Sequence, residues 1–421
     1  MSKKTELLTN MASKTTVQPS INPLRDSALR TAANWFSQIV ISGVLILSAR
    51  NYSFEDFSFL STSLAIATGL VSLVDLGTTA QWTVMLSKKT LSLSRWRRLL
   101  EYKINLAILL VLLSSFTWVL LGPIVFASCL LFLLILSQQS FNVLFITTSK
   151  NQIAAFSTIL DRAVALSMCL TFIFVPLRWN HTLSIFLPFL LGPLSSVIFL
   201  FLNAQRNVRP RIFRNTKLGI YAKESQWFAI NSISSSLRGL DIVLLGTLSN
   251  SIQTALYSSV SKMIVPLNTA ATALSSVTTP HFSNSGLNRK TLRAVRSPVF
   301  LLLLICALAL TPVLFAKELV VFLLGARYAD AGQVLSILLF AGVASAAGIV
   351  FTSTLEAVGR ARSVSIVSII TLTLQVSLCL VLLPMFGAIG AAYALATSTV
   401  LAVFILIALA WKAMREDKLV S

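Results

Sequence analysis

Long apolar stretches separated by short polar ones run from about residue 28 to residue 411. A helix that crosses a bilayer needs roughly 20 mostly apolar residues. Twelve stretches meet that length: 28–49, 56–85, 99–121, 124–147, 152–176, 183–204, 225–248, 252–280, 297–316, 331–357, 363–384 and 387–411. The runs are continuous, which predicts helices, because membrane barrel strands are short and alternate in polarity. The pattern predicts an all-α integral membrane protein of twelve transmembrane helices.

Composition agrees with this reading. Of 421 residues, 56% are apolar and 11% are charged, and the mean hydropathy is +0.83. A soluble globule would carry about 25% charged residues. The first 27 residues are polar, and the first run ends at Ser48-Ala49-Arg50 with no cleavage pattern after it. A retained first span is expected rather than a cleaved signal peptide.

Charge then sets orientation. Lys and Arg number 34 against 14 acidic residues, a net charge of +20. These cations are scattered in short runs between apolar segments. That argues against a nucleic-acid surface, which needs them clustered on a polar fold. With the N-terminus inside, 27 of the 34 fall in inner segments and four in outer loops: Arg50, Arg178, Lys317 and Arg327. The positive-inside rule therefore predicts that both termini are cytoplasmic.

The longest basic segment, 205–224, lies at the midpoint. It divides the chain into a cytoplasmic tail (1–27), a six-helix lobe (28–204), a basic cytoplasmic linker (205–224), a second six-helix lobe (225–411) and a second tail (412–421). Both lobes start inside, so any repeat is predicted to be parallel, about an axis along the membrane normal. Ser48–Ser53 and Thr247–Ser251 are weakly alike and lie about 199 residues apart, each preceding an aromatic position of the following span.

Little in the chain carries chemistry. Cys129, Cys169, Cys306 and Cys379 all sit in apolar runs, as small core residues do. His181 and His281 are far apart, so neither a zinc site nor any other cofactor is expected. No phosphate-binding glycine loop occurs, and no outer loop exceeds about 14 residues. An enzyme is not expected.

The candidate functional residues are ions at membrane depth. Each costs about 2.5–3.5 kcal/mol to place there, so each needs a reason. Arg238 and Asp241, three residues apart, are expected to share a face and able to pair. They lie roughly 20–24 Å along the seventh span, and Lys262 lies about 15 Å into the returning eighth span, so the three could meet. Asp161 and Arg162 are adjacent and point about 100° apart, so they are not expected to pair face to face. Asp75 and Glu356 are expected to be structural or gating partners of inner-surface cations. Arg30 could hold a phosphate at the cytoplasmic mouth, or it could snorkel to the interface. Pro188, Pro193, Pro266 and Pro312 could break helices and line a cavity.

Several segments resemble a known family. Ser236–Gly246 followed by Ala255-Leu256-Tyr257 is similar to the seventh and eighth helices of polysaccharide repeat-unit flippases. Ala49-Arg50, Glu55-Asp56-Phe57 and Asp75-Leu76-Gly77 resemble that family's first two helices. Phe322–Gly325 with Arg327-Tyr328-Ala329, Leu355–Arg360 and Pro384–Ala392 resemble its last third. Glu356 departs from the pattern, which is usually uncharged there.

The resemblance implies the multidrug/oligosaccharidyl-lipid/polysaccharide exporter superfamily, with two parallel six-helix lobes in a V around a central cavity. It implies movement of undecaprenyl-pyrophosphate-linked oligosaccharide across the bacterial inner membrane. Membrane lipids, a polysaccharide polymerase and a chain-length regulator would be its partners. Arg238, Lys262, Arg162 and Arg30 would then contact the pyrophosphate or sugar, and Asp241, Asp161 and Asp75 would couple or gate. Two rival readings are a cation-coupled drug or metabolite exporter of the same superfamily and a membrane polymerase or ligase.

Overall fold

The computed structural model describes residues 23–75, 78, 93–116, 123–147, 150–175, 181–204, 226–285 and 296–420. Residues 1–22 of the expected tail and the whole basic linker 205–224 lie outside the described residues. Among the described residues every regular element is helical. In chain order these are α1 (Pro23–Asn51), α2 (Phe54–Asp75), α3 (Leu93–Phe116), α4 (Pro123–Thr147), α5 (Asn151–Phe174) and α6 (His181–Asn203). There follow α7 (Gln226–Leu237), α8 (Leu240–Leu248), α9 (Ser251–Ser261), α10 (Val265–Ser285), α11 (Arg296–Leu310), α12 (Ala316–Leu324), α13 (Ala331–Ala357) and α14 (Ala361–Val420).

These helices resolve into twelve crossings. The first six apolar stretches correspond to α1–α6, and α6 runs unbroken through Pro188 and Pro193. The seventh is broken into α7 and α8. The eighth is broken by a tight 3-10 turn at Lys262–Ile264, just before Pro266, and the ninth by a 3-10 turn at Thr311–Phe315 that contains Pro312. The tenth stretch is α13. A straight 60-residue helix would be about 90 Å long, three times the hydrocarbon core. Instead α14 reverses at Gly387, whose φ of 53° suits glycine. Its two arms share a buried cluster in which Val364 and Val367 meet Ala402 and Leu406.

One boundary differs from expectation. The ninth apolar crossing begins in α11, which starts at Arg296 as expected, but it continues to Leu324 rather than ending at 316. The 3-10 turn around Pro312 interrupts the helix, and α12 carries the apolar crossing on past it. Ala316, Val320 and Leu324, spaced four apart, then bury one face of α12. Lys317 and Glu318 therefore stand on the exposed first turn of a helix and not in a loop.

Packing repeats between the halves. In the first, α1 packs on α5, α2 and α3 pack on α4, and α4 packs on α6. In the second, α7 packs on α14, α10 and α11 pack on α13, and α13 packs on α14. The second helix of each half is also capped alike. Ser53 Oγ accepts from the Asp56 N–H at 3.1 Å, and Asn250 Oδ1 accepts from the Gln253 N–H at 2.9 Å. Each satisfies a donor that the first helical turn leaves free. These caps lie in or beside the two segments that are weakly alike in sequence.

Among the described residues the halves share their buried apolar packing toward one end, and farther along α2 the Ser72 Oγ also donates to Ser236 Oγ of α7. A large buried cluster joins Val44, Phe57 and Leu60 of the first half to Leu256, Val320 and Leu335 of the second. It lies toward the α1–α2, α8–α9 and α12–α13 connections. At the opposite end each half has its own cluster: Trp96, Leu100 and Phe141 in one, Leu355, Val364 and Leu406 in the other. Among the described residues no buried apolar cluster joins the halves there. Among the described residues the halves are packed closed toward the side that the sequence predicts as outer, and their apolar clusters are separate toward the predicted inner side.

Candidate functional site

The break between α7 and α8 builds the first part of the site. Ser234-Ser235-Ser236 precedes Gly239, and Gly239 N–H donates back only three residues, to Ser236 O at 3.1 Å. In a continuous helix the Arg238 carbonyl would accept from the Ile242 N–H. Here Gln375 Nε2 of α14 donates to that carbonyl at 2.9 Å, and the Ile242 N–H donates to Asp241 Oδ1 at 2.7 Å. Both backbone groups freed by the break are satisfied, as a lipid-embedded helix requires.

This break separates the residues expected to pair. Among the described residues Arg238 and Asp241 form no ion pair, because the turn at Arg238-Gly239 removes the helical register between them. Arg238 Nη2 donates to Thr371 Oγ1 of α14 at 3.0 Å, while its buried Nε has no partner. The Tyr257 hydroxyl of α9 donates to Asp241 Oδ2. Both Asp241 oxygens are thus occupied.

Lys262 differs from the other cations. It begins the 3-10 turn between α9 and α10, and its ammonium has no hydrogen-bond or ion-pair partner among the described residues. Asp241 acts on it only at longer range. Two cavities share it. One, of about 440 Å³, lies within the second half and is lined by Asn231, Arg238, Asp241, Lys262, Asn268 and Ser368 among others. The other, of about 340 Å³, lies between the halves and is lined by Gln38, Ser42, Thr68, Gln138, Arg162 and Lys262 among others.

In the first half, Arg162 Nε donates to Ser37 Oγ of α1 at 3.0 Å. Its Nη1 also reaches Asp161 Oδ2 at 3.5 Å, which corrects the expectation that these neighbours do not pair. The long guanidinium can bend back where the two Cβ directions diverge. Asp161 itself is buried away from the cavity. Gln138 Nε2 donates to its Oδ2 at 3.0 Å and also to Ser196 Oγ at 3.0 Å. A Cβ on Gly192 of α6 would come within 2.6 Å of Asp161 Oδ1. Gln138 of α4, bonded to this carboxylate on α5 and to Ser196 on α6, therefore ties the three helices together.

The remaining candidates lie elsewhere. Asp75 ends α2 and is ion-paired with Lys103 of α3. Arg30 lies in α1, but its side chain is outside the described residues. Asn231 Nδ2 donates to Glu356 Oε1 at 2.7 Å, and Ser368 Oγ donates to Asn231 Oδ1 at 2.7 Å. The structure thus brings Arg238, Asp241 and Lys262 to one cavity and Arg162 and Lys262 to another, and leaves Asp161 and Asp75 in ties between helices. Sequence reasoning assigned no role to Gln375, Gln138 or Asn231, although an amide inside an apolar run is a legible signal in each case.

The fold is that of known transporters. An inward-facing multidrug resistance MATE family transporter of the MOP superfamily matches with a TM-score of 0.67 at 14% identity, covering 94% of this chain and 99% of that one. The outward-facing form of a MATE family transporter of that superfamily matches at 0.57 and 15% identity, covering 94% and 96%. A lipid II flippase, MurJ, in an inward closed conformation matches at 0.70 and 14% identity, covering 90% and 87%. No protein-family model matches the sequence, and no curated protein matches it either.

Proposed function

We propose that this chain is a flippase that carries undecaprenyl-pyrophosphate-linked oligosaccharide repeat units from the inner to the outer leaflet of the bacterial inner membrane. The observation that carries this reading is Lys262: a cation at a helix break, without a hydrogen-bond or ion-pair partner among the described residues, on the wall of both cavities. An unpaired charge at membrane depth is expensive and marks a site that an opposite charge completes. A pyrophosphate is such a charge, and the three donors of an ammonium suit its oxygens. Arg238 and Arg162 add positive potential on either side. The amides and hydroxyls of Asn231, Asn268 and Ser368 offer hydrogen bonds to a sugar.

The lipid tail would remain in the bilayer, so only the head needs a polar path. With the interior negative, outward movement of two negative charges gains about 4–5 kcal/mol at roughly 100 mV. Alternating access between the halves then needs no ATP hydrolysis by this chain. That a lipid II flippase, MurJ, has a similar fold supports the reading.

The test is surface polysaccharide in a deletion strain complemented with Lys262→Gln protein at normal membrane levels. Loss of polysaccharide, with complete repeat units held on the inner leaflet, is the expected result. Undiminished export would overturn the reading. A drug exporter would instead lose resistance and leave polysaccharide intact, and a polymerase would leave single repeat units outside.

A further inference from the structure

At the closed end of the molecule one side chain crosses between the halves. Gly325, at φ 96°, ends α12 and starts the short turn Ala326–Tyr328. This turn projects Arg327 across the α1–α2 connection. Its Nη2 donates to the backbone oxygens of Ala49 and Tyr52, the latter at 2.7 Å. The guanidinium carbon lies 5.3 Å from the Phe54 ring centroid and 5.2 Å from that of Tyr328. The two rings meet edge to face at 5.0 Å.

The chemistry of this contact is that of a helix terminus. The last carbonyls of α1 have no intrahelical donors and carry the negative end of the helix dipole. The other carbonyls there are served within the first half: Asn51 Nδ2 donates to Leu47 O at 2.8 Å, and the Tyr52 N–H donates to Ser48 O at 3.1 Å. Those of Ala49 and Tyr52 are served by the second half. The cluster beneath is apolar and has no such directionality. Arg327 is itself exposed, so water can replace its partners without burying a charge.

We infer that Arg327 is a latch that holds the two halves together at this end and releases the carbonyls of Ala49 and Tyr52 when the halves part there. The inference rests on the alternating access of the proposed function. This polar contact then belongs to the state in which the halves are packed together at the predicted outer side. The flanking rings of Phe54 and Tyr328 set the guanidinium plane, so lysine cannot replace arginine in full.

The test uses purified full-length protein without substrate, with spin labels at Glu55 and Asp330, both exposed on either side of the contact. In Arg327→Ala the distance distribution should gain a longer component, with the open-to-closed ratio raised about tenfold or more for loss of two charge-assisted hydrogen bonds. Arg327→Lys should give an intermediate shift. Phe54→Leu keeps both hydrogen bonds and should shift less than Arg327→Ala, which guards against a folding defect in any one variant. A distribution in Arg327→Ala that coincides with the parent would overturn the latch. Because this readout needs no substrate, intact export by Lys262→Gln would remove the proposed function and leave the latch result standing.

Discussion

Replacing Lys262 with methionine separates a residue that binds cargo from one that holds helices together. The volume is nearly conserved and the charge is lost. An ionised side chain at membrane depth costs about 2.5–3.5 kcal/mol. Lys262 recovers none of this through contact with the described residues, since none of them lies within hydrogen-bond or ion-pair reach of its ammonium. Attraction to Asp241 returns about 1–2 kcal/mol if the charges are roughly 8–15 Å apart at an effective dielectric of about 20. Asp241 keeps the Tyr257 hydroxyl and the Ile242 N–H in the variant. Lys262→Met should therefore be neutral or should stabilise the protein by about 1–2 kcal/mol, while abolishing export. The control is Arg238→Met, which loses a bond to Thr371 and should cost about 1.5–3 kcal/mol. Thermal unfolding in detergent reads both, with the first midpoint unchanged or raised and the second lowered. If Lys262→Met lowered the midpoint as much as Arg238→Met, the lysine would be a structural tie, and the case for a cargo site at the helix break would fail.

Other consequences are local. Gly192→Ala drives a methyl into Asp161 Oδ1 and its backbone oxygen and should cost about 1–3 kcal/mol through overpacking, read as a lowered midpoint with no change in the second-half cavity. Gln375→Leu leaves the Arg238 carbonyl without its donor and should cost about 1–3 kcal/mol, again as a lower midpoint. The closed end should be insensitive to pH across the physiological range. Burial pushes the phenols of Tyr52 and Tyr328 up to about 12, so each is neutral well above pH 8, although Arg327 pulls the second downward. Their packing contribution is full below pH 10, the ordinary value once the halves part, and is lost as pH rises toward about 12. Spin-label distances at this end should accordingly stay constant from pH 6 to 9, and a transition inside that window would refute the assignment.

The crossings were legible because hydropathy reports them directly. A run of about 20 apolar residues has few other uses. Proline marked the turns at Lys262–Ile264 and Thr311–Phe315, where Pro266 and Pro312 lack the N–H a continuing helix needs, but the same signal failed at Pro188 and Pro193, through which α6 runs unbroken. The break at Arg238-Gly239 carries no proline. It depends on a serine run, a glycine and the amide of Gln375, which lies 137 positions away in sequence. Spacing by three implied a pair between Arg238 and Asp241 only if the helix continued, and it does not. The Arg327 contact was illegible for a related reason: its acceptors are backbone oxygens 275 and 278 positions away, which leave no mark on side-chain patterning.

The two arginines near the cavities make a common point about how a repeated fold divides its charges. Arg162 joins the fifth helix of the first half to Ser37 on its first helix. Arg238 joins the first helix of the second half to Thr371 on its fifth. Each half thus uses one guanidinium and one hydroxyl to tie the same pair of helices, with donor and acceptor exchanged. A guanidinium can do this and still lend charge to a cavity, because it is planar, always protonated and has several N–H groups. Lys262 has no counterpart in either tie. It sits where the second half is broken and where both cavities meet. A fixed positive potential in each half, with one unpaired ammonium between them, is an arrangement in which an anion gains a partner without displacing one.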